Sequence, residues 1–211
     1  FSAGIDITMF MSDMSLNENL SSTPQDRREL MDLVERMQSA FTTIAKSKVP
    51  TIALAHGFCI GGATSLVSAC DIRLATKDAK FSIGETKLGL VADVGVIQRM
   101  PKIVSSGDMN ELALTGRVFD GEHAERIRFV SKVYENSDEL FEAGEKLANE
   151  ISSNSKRIVQ ATKQALEKSS NLTVDQGLEY AKLWSTSFLV SEDLREGVMA
   201  FLEKRNPKFN E

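Results

Sequence analysis

Cysteine and histidine are scarce in this 211-residue sequence: two of each, Cys59 and Cys70, His56 and His123. The cysteines lie in apolar surroundings without CxxC spacing, which argues against a disulfide framework and for reduced, buried thiols in a reducing compartment. Two separated histidines are too few for a metal site, and none is expected. No apolar run reaches the roughly 20 residues needed to cross a bilayer, so no membrane partner is expected. No secretory leader is visible. Positive charge is in the minority, with 25 Lys and Arg against 30 Asp and Glu, a net charge of −5. Nucleic acid is therefore not an expected partner, because phosphate backbones select clustered basic surfaces. The sequence also lacks Walker and GxGxxG patterns, internal repeats, low-complexity tracts and any Pro/Gly/Ser-rich linker.

What is present is a chain with 42% hydrophobic and 26% charged residues, ordinary for a soluble globular protein. Its length fits one large domain, or one domain with an appendage. Phe1 stands in the middle of what reads as a functional loop, so a preceding segment is expected. Residues 12–22 read as a loop. Thr23 then offers an N-cap and Pro24 a first helical position. Leu30, Val34, Met37, Phe41 and Ile44 form one apolar stripe, predicting a helix from Pro24 to Lys46 that ends at Val49-Pro50.

Residues 51–56 form a short apolar run that predicts a buried strand ended by Gly57, and Gly61-Gly62 open a helix. Residues 71–75 and 81–83 predict two more strands. Strand, glycine turn, helix, strand is the rhythm of a mostly parallel sheet. From Val94 onward the pattern turns helical. Short helices are predicted at 107–114 and 121–126, and a brief strand at 130–134. Longer amphipathic helices follow at 137–153, 155–168, 173–189 and 191–204. Such a tail reads as a helical appendage, packed on the core or exchanged between subunits.

Two constellations stand out. The first is Phe1-Ser2-Ala3-Gly4-Ile5-Asp6-Ile7, a small-residue turn. The second, Gly57-Phe58-Cys59-Ile60-Gly61-Gly62-Ala63, lies between strand and helix, where glycines admit close approach to the backbone and a helix start offers unpaired N–H groups. Each alone is non-specific. In this order they resemble the paired oxyanion-hole loops of the enoyl-CoA hydratase/isomerase (crotonase) superfamily. The likeness continues through 69–75, 85–90 (Glu-Thr-Lys-Leu-Gly-Leu), 98–101, 114–117 and 195–205, and so covers essentially the whole chain.

The resemblance implies an α/β, crotonase-like spiral of ββα units with a C-terminal helical region. The core would span residues 1–135, and residues 136–211 would form a helical trimerisation region. The implied substrate is an acyl-CoA thioester, with no cofactor beyond the coenzyme A that the substrate carries. The implied assembly is a homotrimer or a hexamer of paired trimers. The implied location is the cytoplasm in a bacterium or an organelle matrix in a eukaryote.

By position, the backbone N–H groups of Ile5 and Gly62 match the two oxyanion donors, which would stabilise charge on the thioester oxygen. Ala3, Asp6, Ile7, Gly61, Lys208 and Phe209 match substrate- and CoA-binding positions. For Lys208 and Phe209 the alternative is a solvated terminal helix.

Glu85 matches a catalytic glutamate, and facing an apolar acyl pocket its carboxyl should titrate high. Its bland alternative is a surface carboxylate. Asp93 matches the second acid of dienoyl-CoA isomerases, although an Asp before Val94-Gly95 could instead cap a helix. Ser65 stands where hydratases carry their other glutamate and dienoyl-CoA isomerases usually an aspartate, and serine has no acid-base group in range. The expectation is therefore a dienoyl- or enoyl-CoA isomerase, 3,5-dienoyl-CoA to 2,4-dienoyl-CoA in particular. An enoyl-CoA hydratase is the nearest rival, and a non-catalytic scaffold of this fold is the rival of another kind. His56 reads as a core histidine. Cys59 has no basic neighbour to activate it. Met9, Phe10, Met11 and Met14 are open to acyl-pocket or gap-filling roles.

Overall fold

A computed structural model of the chain describes residues 1–6, 8 and 23–209. The expectations for Ile7 and for Met9, Phe10, Met11 and Met14 lie outside them.

Helix α1, Pro24–Ala45, starts as its sequence predicts. Thr23 caps it, accepting from the Asp26 N–H, while the Asp26 carboxylate accepts from the Thr23 N–H in a reciprocal capping box. Its apolar stripe is only half-buried at Val34, Met37, Phe41 and Ile44, and Leu30 is exposed.

The strands sort into two three-stranded sheets. Strand β1, Ile52–Ala55, pairs in parallel with β3, Ile72–Thr76, in the register Ile52 to Ile72. Strand β3 pairs in parallel with β6, Lys132–Tyr134. The second sheet has β4, Lys80–Ser82, at its centre, parallel to β2, Phe58–Ile60, and antiparallel to β5, Phe119–Asp120. The first four strands thus alternate between the sheets: β1 then β2, β3 then β4. Helix α2, Gly62–Ala69, follows β2 and completes one ββα unit.

Strand β2 was not expected, since residues 57–63 read as a single turn. Three residues between Gly57 and Gly61 carry too little pattern to declare a strand. It exists because β4 and Ser2 supply its hydrogen-bond partners.

After β4 come a 3₁₀ turn at Glu85–Leu88, a short helix α3 at Val96–Arg99, and α4 at Ser106–Thr115. Helix α5, Gly121–Arg126, links β5 to β6. The helices α6 at Ser137–Ser152, α7 at Lys156–Ser169, α8 at Val174–Phe188 and α9 at Glu192–Leu202 fall within two residues of their predicted bounds. Ser155, Thr173 and Ser191 cap the last three with their hydroxyls, which is why these starts were legible.

The chain divides into two compact units. The first comprises residues 1–46 and 51–142, and its core holds Phe81, Phe119 and Phe129. Phe81 stacks on Phe119 at 5.5 Å and meets Phe129 edge-on at 5.6 Å. The second comprises residues 47–50 and 143–211. Within it the buried Ser155 hydroxyl donates to the Asp193 carboxylate at 2.6 Å, tying α7 to α9, and the Lys163 ammonium donates to the Val49 carbonyl at 3.1 Å.

Phe81→Ala should lower the unfolding free energy by about 3–5 kcal/mol, because it removes a fully buried ring that touches two others. Urea denaturation measures this. A loss below 1 kcal/mol would mean the three rings do not form a shared core.

Candidate active site

Two chain segments meet at the start of α2. Ser2 bridges Cys59 in parallel fashion, its N–H donating to the Phe58 carbonyl at 2.7 Å and its carbonyl accepting from Ile60 N–H at 3.1 Å. The loop then passes so close to β2 that a Cβ on Gly4 would sit 2.9 Å from the Ile60 carbonyl oxygen. Gly4 also has φ +92°, a conformation that L side chains resist. Glycine is required there on both counts. Asp6 accepts from the N–H and the hydroxyl of Thr8, at 2.9 and 2.6 Å, which folds the loop locally. Ala3, Ile5 and Asp6 remain exposed.

On the other side, Gly61 caps α2 with φ +57° and donates its N–H to the Ser82 carbonyl at 2.9 Å. Gly62 is the first helical residue, where no carbonyl of the helix itself can reach the N–H. Helix α2 is short and rich in small residues, with Ala63, Thr64, Ser65, Val67, Ser68 and Ala69 all buried. The Thr64 hydroxyl lies 2.7 Å from the Cys59 carbonyl and 3.0 Å from that of Ser82, holding the helix start to both strands.

Glu85 opens the 3₁₀ turn after β4. The turn is fastened by the Thr86 hydroxyl, which donates to the Ala113 carbonyl at 2.7 Å. One oxygen of the Glu85 carboxyl would lie 3.6 Å from a Cβ on Gly61, an ordinary contact that places the acid directly over this glycine. Burial raises the Glu85 carboxyl above its ordinary value near 4.5, its own backbone N–H partly offsets this, and the negative charge of Asp93 adds to the rise. The acid expected from sequence to titrate high does so.

Asp93 is exposed, and the helix after it is capped by Gly95, without any side-chain capping bond. The capping alternative for Asp93 is therefore excluded. Its loop is held from the α1 side instead. The Gln38 side chain donates to the Asp93 carbonyl at 2.7 Å. The Arg99 guanidinium donates to the Val94 carbonyl at 3.3 Å and to the Thr42 hydroxyl at 3.1 Å. It lies so tightly over Gly95 that a Cβ there would fall 1.8 Å from its nitrogen. Gln38, Thr42 and Arg99 were not foreseen in these roles, since a polar residue on a helix carries no sequence signal for a partner 55 or 57 positions away.

Cys59 lies beneath the loop, fully buried, with burial pushing its thiol up to about 12. It is inert as a nucleophile at neutral pH. His56 is half-buried with its ring edge-on to Phe141 at 5.6 Å. Among the described residues no cluster of His, Cys, Asp and Glu could hold a metal ion, and no helix is long and apolar enough to cross a membrane.

Lys208 and Phe209 belong to the second unit. The Lys208 N–H donates to Glu196 at 2.6 Å, and Arg205 binds the same carboxylate through two nitrogens at 2.6 and 3.0 Å. The Arg205 guanidinium first, and the Lys208 N–H second, bring Glu196 down to about 2. The segment after α9 is thereby pinned back on that helix rather than left as a free tail.

The family model for enoyl-CoA hydratase/isomerase matches residues 1–211. The chain belongs to this family. It is 47% identical over 188 residues to the mitochondrial Delta(3,5)-Delta(2,4)-dienoyl-CoA isomerase of Dictyostelium discoideum, covering 89% of this chain and 64% of that protein. It is 39% identical to the peroxisomal Delta(3,5)-Delta(2,4)-dienoyl-CoA isomerase of Arabidopsis thaliana, covering 99% of this chain and 75% of the relative. The crystal structure of an enoyl-CoA hydratase from Bacillus anthracis superposes with a TM-score of 0.81 at 27% identity, over 92% of this chain and 74% of the other. The crotonase fold expected from sequence is thus confirmed.

Two outcomes test the geometry. Gly4→Ala should loosen the loop: hydrogen exchange at the Ser2 and Ile60 amides should quicken by tenfold or more, as a strain of about 1–2 kcal/mol requires. Unchanged protection would show that the close approach to Ile60 is not tight. Glu85 has a folded-state value above its unfolded one, so its contribution to stability is complete below the ordinary value and fades as pH rises through the raised one. Glu85→Gln should therefore be more stable than wild type at pH 8, with the advantage gone at pH 4. Equal stabilities at both pH values would contradict burial as the cause of the rise.

Proposed function

We propose that the chain acts as an isomerase of unsaturated fatty acyl-CoA thioesters, converting 3,5-dienoyl-CoA to 2,4-dienoyl-CoA in the oxidative breakdown of fatty acids. The observation that carries this reading is the pair of unequal carboxylates. Glu85 is withdrawn from water and holds its proton to higher pH, while Asp93, eight positions on, is exposed and acts on Glu85 through space.

The chemistry suits such a pair. Asp93 takes a proton from C2 of the substrate. The electron pair moves through the diene into the thioester carbonyl, giving an extended enolate. Glu85 gives its proton to C6, and the double bonds at C3 and C5 become double bonds at C2 and C4. The proton lost from Asp93 to solvent and the proton regained by Glu85 close the cycle. In the intermediate the negative charge sits largely on the thioester oxygen. The N–H groups of Ile5 and Gly62 are assigned to hold it, and loss of one such donor costs roughly 3–4 kcal/mol of transition-state stabilisation. Ala3, Asp6, Ile7 and Gly61 are assigned to the substrate's acyl and thioester end, and Lys208 and Phe209 to its CoA end. Coenzyme A enters as part of the substrate, and no separate cofactor is invoked.

Ser65 favours isomerisation over hydration, because adding water calls for a second carboxylate to deprotonate it, and serine has no acid-base group in range at neutral pH. Self-association as a trimer or paired trimers belongs to the same reading. It is supported by apolar side chains left in water along the second unit, including Leu183, Val190, which is 97% exposed, and Phe201. The relatives' names mention a mitochondrion and a peroxisome, which supports an organelle matrix in a eukaryotic source; a bacterial source would imply the cytoplasm.

Purified protein should turn over 3,5-dienoyl-CoA, read from the absorbance gained as the diene conjugates with the thioester, and should hydrate crotonyl-CoA far more slowly. Glu85→Gln and Asp93→Asn should each lower kcat by about 10²–10⁴-fold. Absence of dienoyl turnover, or a fully active Asp93→Asn, overturns the assignment. No turnover of any unsaturated acyl-CoA would favour the scaffold.

A further inference from the structure

Three buried side-chain oxygens among the described residues have no hydrogen-bond partner: Ser65 Oγ, Thr76 Oγ1 and Glu85 Oε2. Buried polar atoms are nearly always satisfied, by protein or by an ordered water. Two of these three belong to residues that adjoin Gly61. The Glu85 carboxyl occupies the side where Gly61 lacks a Cβ, with its other oxygen 3.6 Å from that point. Ser65 is one helical turn on from Gly61, its N–H donating to the Gly61 carbonyl at 3.1 Å. Residues four apart share a helix face, and helical side chains lean toward the N-terminus, so Ser65 leans toward Gly61. Ser65 is itself fully buried, on a helix where hydroxyls generally find partners: Thr64 reaches Cys59 and Ser82, and Ser68 donates to the Ser65 carbonyl at 2.7 Å. The Ser65 hydroxyl and Glu85 make no direct bond, and one water that accepts from the hydroxyl and donates to the carboxyl satisfies both.

We propose that Ser65 is a positioning residue, its hydroxyl donating to one ordered water that in turn donates to the inner oxygen of Glu85 and fixes that carboxyl beside Gly61. A hydroxyl does this without bringing a second negative charge against Glu85, which already faces the charge of Asp93. The water is an anchor, not a reactant. The serine gives it a donor but no base to deprotonate it, so it does not add to the substrate. The inference rests on the reading of Glu85 as the proton-carrying acid.

The test titrates the Glu85 carboxyl in the substrate-free protein by ¹³C NMR, with Glu85→Gln to assign the signal. Losing a donor to the charged form moves the titration upward. Ser65→Ala should do so and should lower kcat on 3,5-dienoyl-CoA by about tenfold with little change in KM, the size expected for a lost hydrogen bond to a charged group. Ser65→Thr and Ser65→Val have one shape and differ in the hydroxyl. Thr should restore the wild-type titration and Val should not. An unmoved titration in Ser65→Ala, or equal shifts in Thr and Val, overturns the proposal. Because the titration needs no substrate, a missing dienoyl activity would sink the isomerase reading while leaving the serine result to stand or fall separately.

Discussion

The parallel pairing of Ser2 with Cys59 is the constraint on which the site depends. Two backbone hydrogen bonds add the first loop to the edge of β2. They bring Ile5 within a few residues' reach of the α2 start, although the two lie nearly 60 positions apart in sequence. Backbone N–H groups serve as oxyanion donors only when the chain holding them does not move, since the benefit comes from having been oriented before the charge appears. Gly4 makes the approach tight, and the Glu85 carboxyl lies against Gly61 of the adjoining turn.

Around that frame the electrostatics are uneven. Glu85 is fastened on a short turn and partly dehydrated, whereas Asp93 faces solvent on a loop gripped by Gln38 and Arg99. Two like acids thus stand in unlike surroundings, and the proposed division of proton-carrying work rests on that difference. The environment sets the roles, not the residue type.

The second unit is organised differently. Its helices are stitched by few buried polar contacts, chiefly Ser155 to Asp193 and Lys163 to Val49, and its terminal segment is held by Glu196. Much of its apolar surface remains in water. A core that small leaves hydrophobic area uncovered, and the proposed self-association draws on that surface.

The helices were legible in the sequence because their signals are local. Thr23, Ser155, Thr173 and Ser191 each satisfy an N–H two or three residues away, and the apolar stripes repeat within one helix. Glu85 was legible because a short ordered motif surrounds it. The second sheet was not, because the three residues of β2 become a strand only through partners at Ser2 and β4, contributed by distant parts of the chain. Asp93 shows the division most clearly. Sequence left it open between a helix cap and a proton carrier, since both need a carboxylate before a helical start. Tertiary structure removed the first option by giving the cap to Gly95 and packing Arg99 over it. The sequence by itself determined the family and the helices, and singled out Glu85 and Asp93 as candidates. Only the folded chain decided which acid loses its water and which keeps it, because dehydration is a property of what packs around a group and not of the group.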